Sequence, residues 1–145
     1  MPVRARFTLL VIGGLLAAPH PAASAGAYKV VVNAARAEST MTRRQVADYF
    51  LRRNSQWGDG TQVLVADLST TSPARAAFSR DVMGQDVDFV IRYWQQQISS
   101  SRGFPPIVKS EKDVIAFVAG TVNGIGYVSG ETPLPSGLKA VQLAP

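Results

Sequence analysis

Residues 62–78 read QVLVADLSTTSPARAAF, a strand, a hydroxyl loop and a helix start in succession. Gln62 to Leu68 reads as the strand, because Val63-Leu64-Val65-Ala66 is apolar on both faces. Ser69, Thr70, Thr71 and Ser72 form the loop. Ser72 caps the helix and Pro73 takes its first position, where a missing N–H costs nothing. Phe78, Val82 and Met83 look inward from this helix, and Gly84 ends it. A helix N-terminus offers free N–H groups and partial positive charge, an arrangement that holds anions. Arg75 lies one turn in. Ser69, Thr70, Thr71, Ser72 and Arg75 are therefore the candidate anion ligands, although the same residues also serve as an ordinary cap beside a solvated loop.

The flanking sequence repeats the alternation. Tyr28 to Asn33, with Val30-Val31-Val32, is a short buried strand, and Ala34 to Thr40 is a connector. Thr42 and Gln45 then form a capping box, with Met41 and Val46 as a hydrophobic staple. Val46, Tyr49 and Phe50 share one face of the helix that follows, and Asp48 and Arg52 are spaced to pair across a turn. Trp57 to Gly60 is a turn with an aromatic lid. A third helix starts near Asp86 and carries Phe89, Val90, Tyr93, Trp94 and Ile98. Ser99 to Pro106 is a loop, and Ser110 caps a fourth helix that buries Val114, Ile115, Phe117 and Val118. Asn123-Gly124 turns the chain into a short strand, Ile125 to Val128, and Leu138 to Leu143 is read as the last strand. The expected fold is α/β with a mostly parallel sheet flanked by about four helices.

Composition narrows the function. The N-terminus reads as a secretory signal: Arg4 and Arg6, an apolar run from Phe7 to Ala18, and Ala23-Ser24-Ala25 before a cut at Gly26. An uncleaved anchor is the alternative, but the run is shorter than the roughly 20 apolar residues needed to span a bilayer. Cutting there leaves a single domain, 26–145, in the periplasm or secreted, and soluble. The only histidine, His20, leaves with the signal, and the chain has no cysteine. The remaining chain lacks the usual base for a nucleophilic serine, any disulfide, and any thiolate or imidazole metal ligand. Asp81, Asp86 and Asp88 lie close in sequence but read as a helix end and an N-cap rather than a catalytic pair. Gly124-Ile125-Gly126 lacks the third glycine of a dinucleotide loop and precedes a strand. No enzyme activity and no cofactor are expected.

Fifteen basic residues face ten acidic ones, and losing Arg4 and Arg6 lowers the net charge of +5 to about +3. The dense pairs, Arg43-Arg44 and Arg52-Arg53, fall on one helix beside Asp48 and read as a solvated face, so no nucleic-acid partner is expected.

Four stretches together resemble the second lobe of phosphate-binding proteins, the exported solute-binding components of ABC transporters. They are Thr42 to Trp57, Gly60 to Phe78, the Tyr93-Trp94 helix with its Arg102-Gly103 loop and double proline, and Gly124-Ile125-Gly126-Tyr127-Val128. The resemblance implies a single-lobe, periplasmic-binding-protein-like domain. It implies that a small oxyanion such as phosphate is held at Thr70-Thr71-Ser72-Pro73, where the family's S-G-T-type run lies. Here the run keeps hydroxyls without the glycine, and Pro73 removes one donor. Arg102 is a further candidate because its loop can face the same side. The first lobe of such proteins has no counterpart in the matched stretches. Open on one side, two or three charge-assisted hydrogen bonds, less the cost of association, leave binding near 4 kcal/mol, or about millimolar. The expected function is an exported binding module, with a transporter or other envelope protein as partner. The alternative is a protein-interaction or sensing module that keeps the fold, which exposed Trp57, Tyr93 or Trp94 would favour.

Overall fold

Val30, Val31 and Val32 are all at most 1% exposed, because β1 (Tyr28–Asn33) lies inside a sheet covered on both faces. The computed structural model describes residues 26–145; residues 1–25, read from sequence as a secretory signal, lie outside the described residues. The remaining elements are β2 (Thr40–Thr42), α1 (Arg43–Phe50), β3 (Leu64–Leu68), α2 (Pro73–Val82) and α3 (Val87–Ser99). They continue with β4 (Ile107–Lys109), α4 (Glu111–Gly120), β5 (Gly124–Ser129), β6 (Leu138–Ala140) and β7 (Gln142–Ala144). The main sheet runs β4-β3-β5-β1-β6, and β2 pairs with β7 in a second, two-stranded sheet.

Among the described residues the α/β class and the four helices match the expectation, but the sheet is mixed. β3 is parallel to β4 and to β5, whereas β1 is antiparallel to β5 and to β6. The physical reason is that a continuous apolar run reports coverage of both faces and carries no information about direction. β1 meets that condition with antiparallel neighbours. Two short strands were missed: β2, at the end of the expected connector 34–40, and β4. β4 is exposed at Ile107 and Val108 and follows a double proline, so it has neither alternation nor burial to mark it. The expected strand 138–143 divides at Val141, whose N–H bonds Val30, after which Gln142 bonds Ser39 and the chain pairs with β2.

Neighbouring residues of β5 show how the layers are arranged. Tyr127 stacks on Phe78 of α2, with ring centroids 3.9 Å apart and planes 2° from parallel. Gly126, pointing to the opposite face, lies under α4. A Cβ on Gly126 would come within 2.6 Å of Val114 Cγ1 and 3.3 Å of the Ala66 carbonyl. The glycine is thus a close approach between α4 and the sheet, which accounts for the Gly-Ile-Gly run without any nucleotide. Gly126→Ala is expected to cost about 1–3 kcal/mol as overpacking, read as a lower urea midpoint with an unchanged slope.

Local signals set the helix starts. Thr42 accepts from the Gln45 N–H at 3.1 Å while Gln45 Oε1 accepts from the Thr42 N–H at 2.8 Å, completing the box. Met41 and Val46 are both buried. Ser72, Asp86 and Ser110 cap α2, α3 and α4. Asp48, however, pairs with Arg53 at 3.8 Å rather than with Arg52, because Arg52 lies past the helix end at φ 53°.

Candidate functional site

β3 is flanked by two parallel strands, and the chain leaves β3 and β4 toward opposite faces. α2 packs with Phe78 on the Tyr127 face, while α4 packs on the Gly126 face, where Lys109 Nζ sits 5.4 Å from the Phe117 ring centre. Such a divergence opens a crevice at the carboxyl ends of the strands, where α/β sheets bind ligands. The hydroxyl loop 69–72 leaves β3 at this crevice.

The loop's groups are partly engaged with one another. Ser69 Oγ and Thr71 Oγ1 lie 3.0 Å apart, and the Ser72 N–H donates to the Ser69 carbonyl at 2.9 Å. Ser72 Oγ accepts from the Arg75 N–H at 3.3 Å, and the Ser72 carbonyl accepts from the Ala76 N–H. Pro73 has no N–H. The amide-rich mouth expected from sequence is therefore narrower, with several of its donors bonded locally.

Arg75 turns inward. Its side chain is 4% exposed and ion-pairs with Asp67, which is 6% exposed. Asp67 also accepts from Tyr127 Oη at 2.5 Å and from the Leu68 N–H at 2.8 Å. Burial pushes the Tyr127 phenol up to about 12, against the opposing effect of Arg75, so it stays a donor across the ordinary pH range. Arg75 Nε is buried without a hydrogen-bond partner among the described residues. The guanidinium charge that sequence reasoning offered to an anion is balanced within the fold. Asp67 was missed, yet a signal existed: an aspartate near the end of a doubly buried strand needs a counter-charge. Arg75 also shares the α2 face of Phe78 and Val82 by its spacing.

A cavity of about 250 Å³ lies beside this pair. Thr70 and Arg75 line it together with Asp67 and Leu68 from β3, Ile91, Trp94, Gln95 and Ile98 from α3, and Pro105, Pro106 and Val108 from the β4 segment. Ser69, Thr71 and Ser72 stand outside its lining. Arg102 is exposed and does not line it, although Pro105 and Pro106 of the same loop do.

The other sequence candidates take structural places. Asp86 caps α3, and Asp81 accepts from Arg43 and Tyr28. A Ser–Lys pair was set aside from sequence for want of an S-x-x-K spacing, but Ser136 to Lys139 has that spacing. It spans a turn and β6, and Lys139 Nζ donates to the Arg36 carbonyl at 2.5 Å. Trp57 and Trp94 are buried and Tyr93 is half-buried, its Oη donating to the Leu51 carbonyl, so these aromatics form packing contacts. Trp57 lies under the Arg36 guanidinium, 4.3 Å from its ring centre.

At the same end of the sheet, the Glu111 carboxylate accepts from Ser129 and Thr132 and fastens the turn after β5 to the start of α4. Burial alone would raise its pKa, but these bonds outweigh burial and hold it below the usual carboxylate value. Glu38 is likewise lowered, chiefly by its hydrogen bonds from Arg36. The unfolded chain then binds more protons, so this stability is present above the unfolded pKa of about 4.5 and is lost as pH falls through the folded value. Stability should decline between about pH 5 and about pH 3, measured by urea midpoints, and Glu111→Gln should flatten that decline.

No family model matches this chain, and no curated protein matches its sequence. Solved structures do. One is a Clostridium perfringens protein assigned as a phosphate ABC transporter substrate-binding protein, with phosphate bound (TM-score 0.63, 16% identity). Another is an ABC-type phosphate transport receptor from Vibrio cholerae (TM-score 0.61, 18% identity). Each match covers 81% of this chain, and the chain spans 44% and 46% of the lengths of those two proteins. At such identity the likeness establishes the fold alone: an α/β unit that matches a single lobe of those proteins, whose own fold is periplasmic-binding-protein-like.

Proposed function

We propose that residues 26–145 act, after removal of 1–25, as an exported, non-enzymatic binding module whose hydroxyl loop takes a small oxyanion such as phosphate. The observation that carries this reading is the position of Ser69 to Ser72. They lie at the N-terminus of α2, where β3 and β4 send their connections to opposite faces, and Thr70 opens onto the cavity. Thr70, Thr71 and Ser69 supply hydroxyls and the first turn of α2 supplies dipole. Arg75 acts through Asp67 by pinning that turn to β3. A loop open to solvent gives about millimolar affinity, so tight capture calls for a second surface, in the manner of a lobe or a transporter subunit closing over it.

Isothermal titration of the purified protein with phosphate and sulfate tests this. Saturable heat in the millimolar range is expected, and Thr70→Val, which deletes one charge-assisted hydrogen bond, should weaken it about tenfold. Absence of both heat and thermal shift at tens of millimolar anion would remove the ligand. A second reading, a protein-interaction module on the same fold, is favoured by the exposure of Ile98, Phe104, Ile107 and Val108.

A further inference from the structure

Phe104 is 72% exposed, Ile107 66%, Val108 58% and Ile98 46%, exposed apolar side chains on β4, on the loop before it and at the end of α3. β4 is the terminal strand of the main sheet: β3 pairs with one side of it, and among the described residues no strand pairs with the other. Its outward N–H and C=O groups are a ready template for another extended chain. Register with β3 places Val108 on the face of Asp67, beside Ile98 and the cavity, and Ile107 on the face of α4. An added strand would therefore find apolar contacts on both faces.

The charge around this edge is one-sided. From Phe89 to Ser110 there is no acidic residue, while Arg92, Arg102 and Lys109 are basic. Just beyond, Glu111 accepts from Ser129 and Thr132, and Asp113 accepts from Ser110, at the start of α4. A second copy would set these cations against each other. A lipid surface would leave the outward backbone groups without partners.

We propose that β4 is a docking edge for an extended, acidic and apolar segment of a partner protein, which adds as a strand and seats one apolar side chain in the cavity under Trp94. Backbone pairing supplies affinity and the alternating side chains supply choice, the usual division in strand addition. A contact this short is weak and transient.

The test uses the purified protein and a labelled peptide, Asp-Ile-Glu-Val-Asp-Ile-Glu, followed by fluorescence anisotropy and by amide hydrogen exchange. Saturable binding is expected, with slowed exchange within Ile107–Lys109. Phe104→Ser and Ile107→Thr together should weaken it at least tenfold with an unchanged melting temperature, since both side chains are exposed. Replacing the acids of the peptide by lysine, or methylating alternate backbone nitrogens, should abolish binding. No binding at millimolar peptide, indifference to backbone methylation, or equal binding by the double variant would each overturn the proposal. So would peptide-independent binding to phosphatidylglycerol vesicles that Ile107→Thr weakens, or self-association through this edge in sedimentation. Phosphate titration of the same double variant separates this result from that of the hydroxyl loop, which it leaves intact.

Discussion

Arg75→Ala should lower the unfolding free energy by about 3–5 kcal/mol, because it leaves the Asp67 carboxylate buried and without its counter-charge. Tyr127 Oη and the Leu68 N–H remain as donors to that carboxylate, but neither carries charge. The pairing logic predicts its own rescue. Asp67→Asn removes the orphaned charge while its amide oxygen still accepts from Tyr127 and Leu68. Arg75→Met refills the volume on the α2 side. The Arg75→Met/Asp67→Asn double variant should thus be more stable than either Arg75→Ala or Arg75→Met alone, in chemical denaturation followed by circular dichroism. If Arg75→Ala lost less than about 1 kcal/mol, as an ordinary surface substitution does, the guanidinium would be facing solvent or ligand and the balanced pair would be wrong.

Phe78→Ala should cost a similar amount, about 3–5 kcal/mol, for a different reason. Phe78 is fully buried and is the hub of an aromatic cluster: Tyr127 stacks on it, Phe50 tilts against it at 4.7 Å, and Tyr28 meets it edge-on at 5.5 Å. Truncation opens a cavity between α2 and the sheet that three rigid rings cannot close. Phe104→Ala is the natural control. At 72% exposure it should change stability by less than about 0.5 kcal/mol.

Capping chemistry was the most legible part of the fold. Thr42, Ser72, Asp86 and Ser110 are short polar side chains that accept from the backbone N–H three positions on, so their role is written in local spacing. Strand direction was not legible, since Val30 to Val32 are buried whichever way their neighbours run. β4 was hidden because Ile107 and Val108 face outward on an edge, where no periodicity is imposed. At the site, the hydroxyl loop and its place before α2 could be read directly from residues 69–73. Arg75 was located but turned the wrong way. Its partner Asp67 is eight residues earlier, and only the doubling-back of α2 onto β3 brings the two together. Arg102 was placed by loop membership alone, and from that loop Pro105 and Pro106, not Arg102, line the cavity.

The central claim is that the hydroxyl loop before α2 holds an oxyanion. It is tested most directly by phosphate titration of the ¹⁵N-labelled protein, followed amide by amide. The N–H signals of Thr70, Thr71, Ser72, Ala74 and Arg75 should move together along one millimolar saturation curve, while those of Ile107 to Lys109 stay in place. Static loop amides, or shifts centred on Arg102 or on another basic cluster, would contradict it.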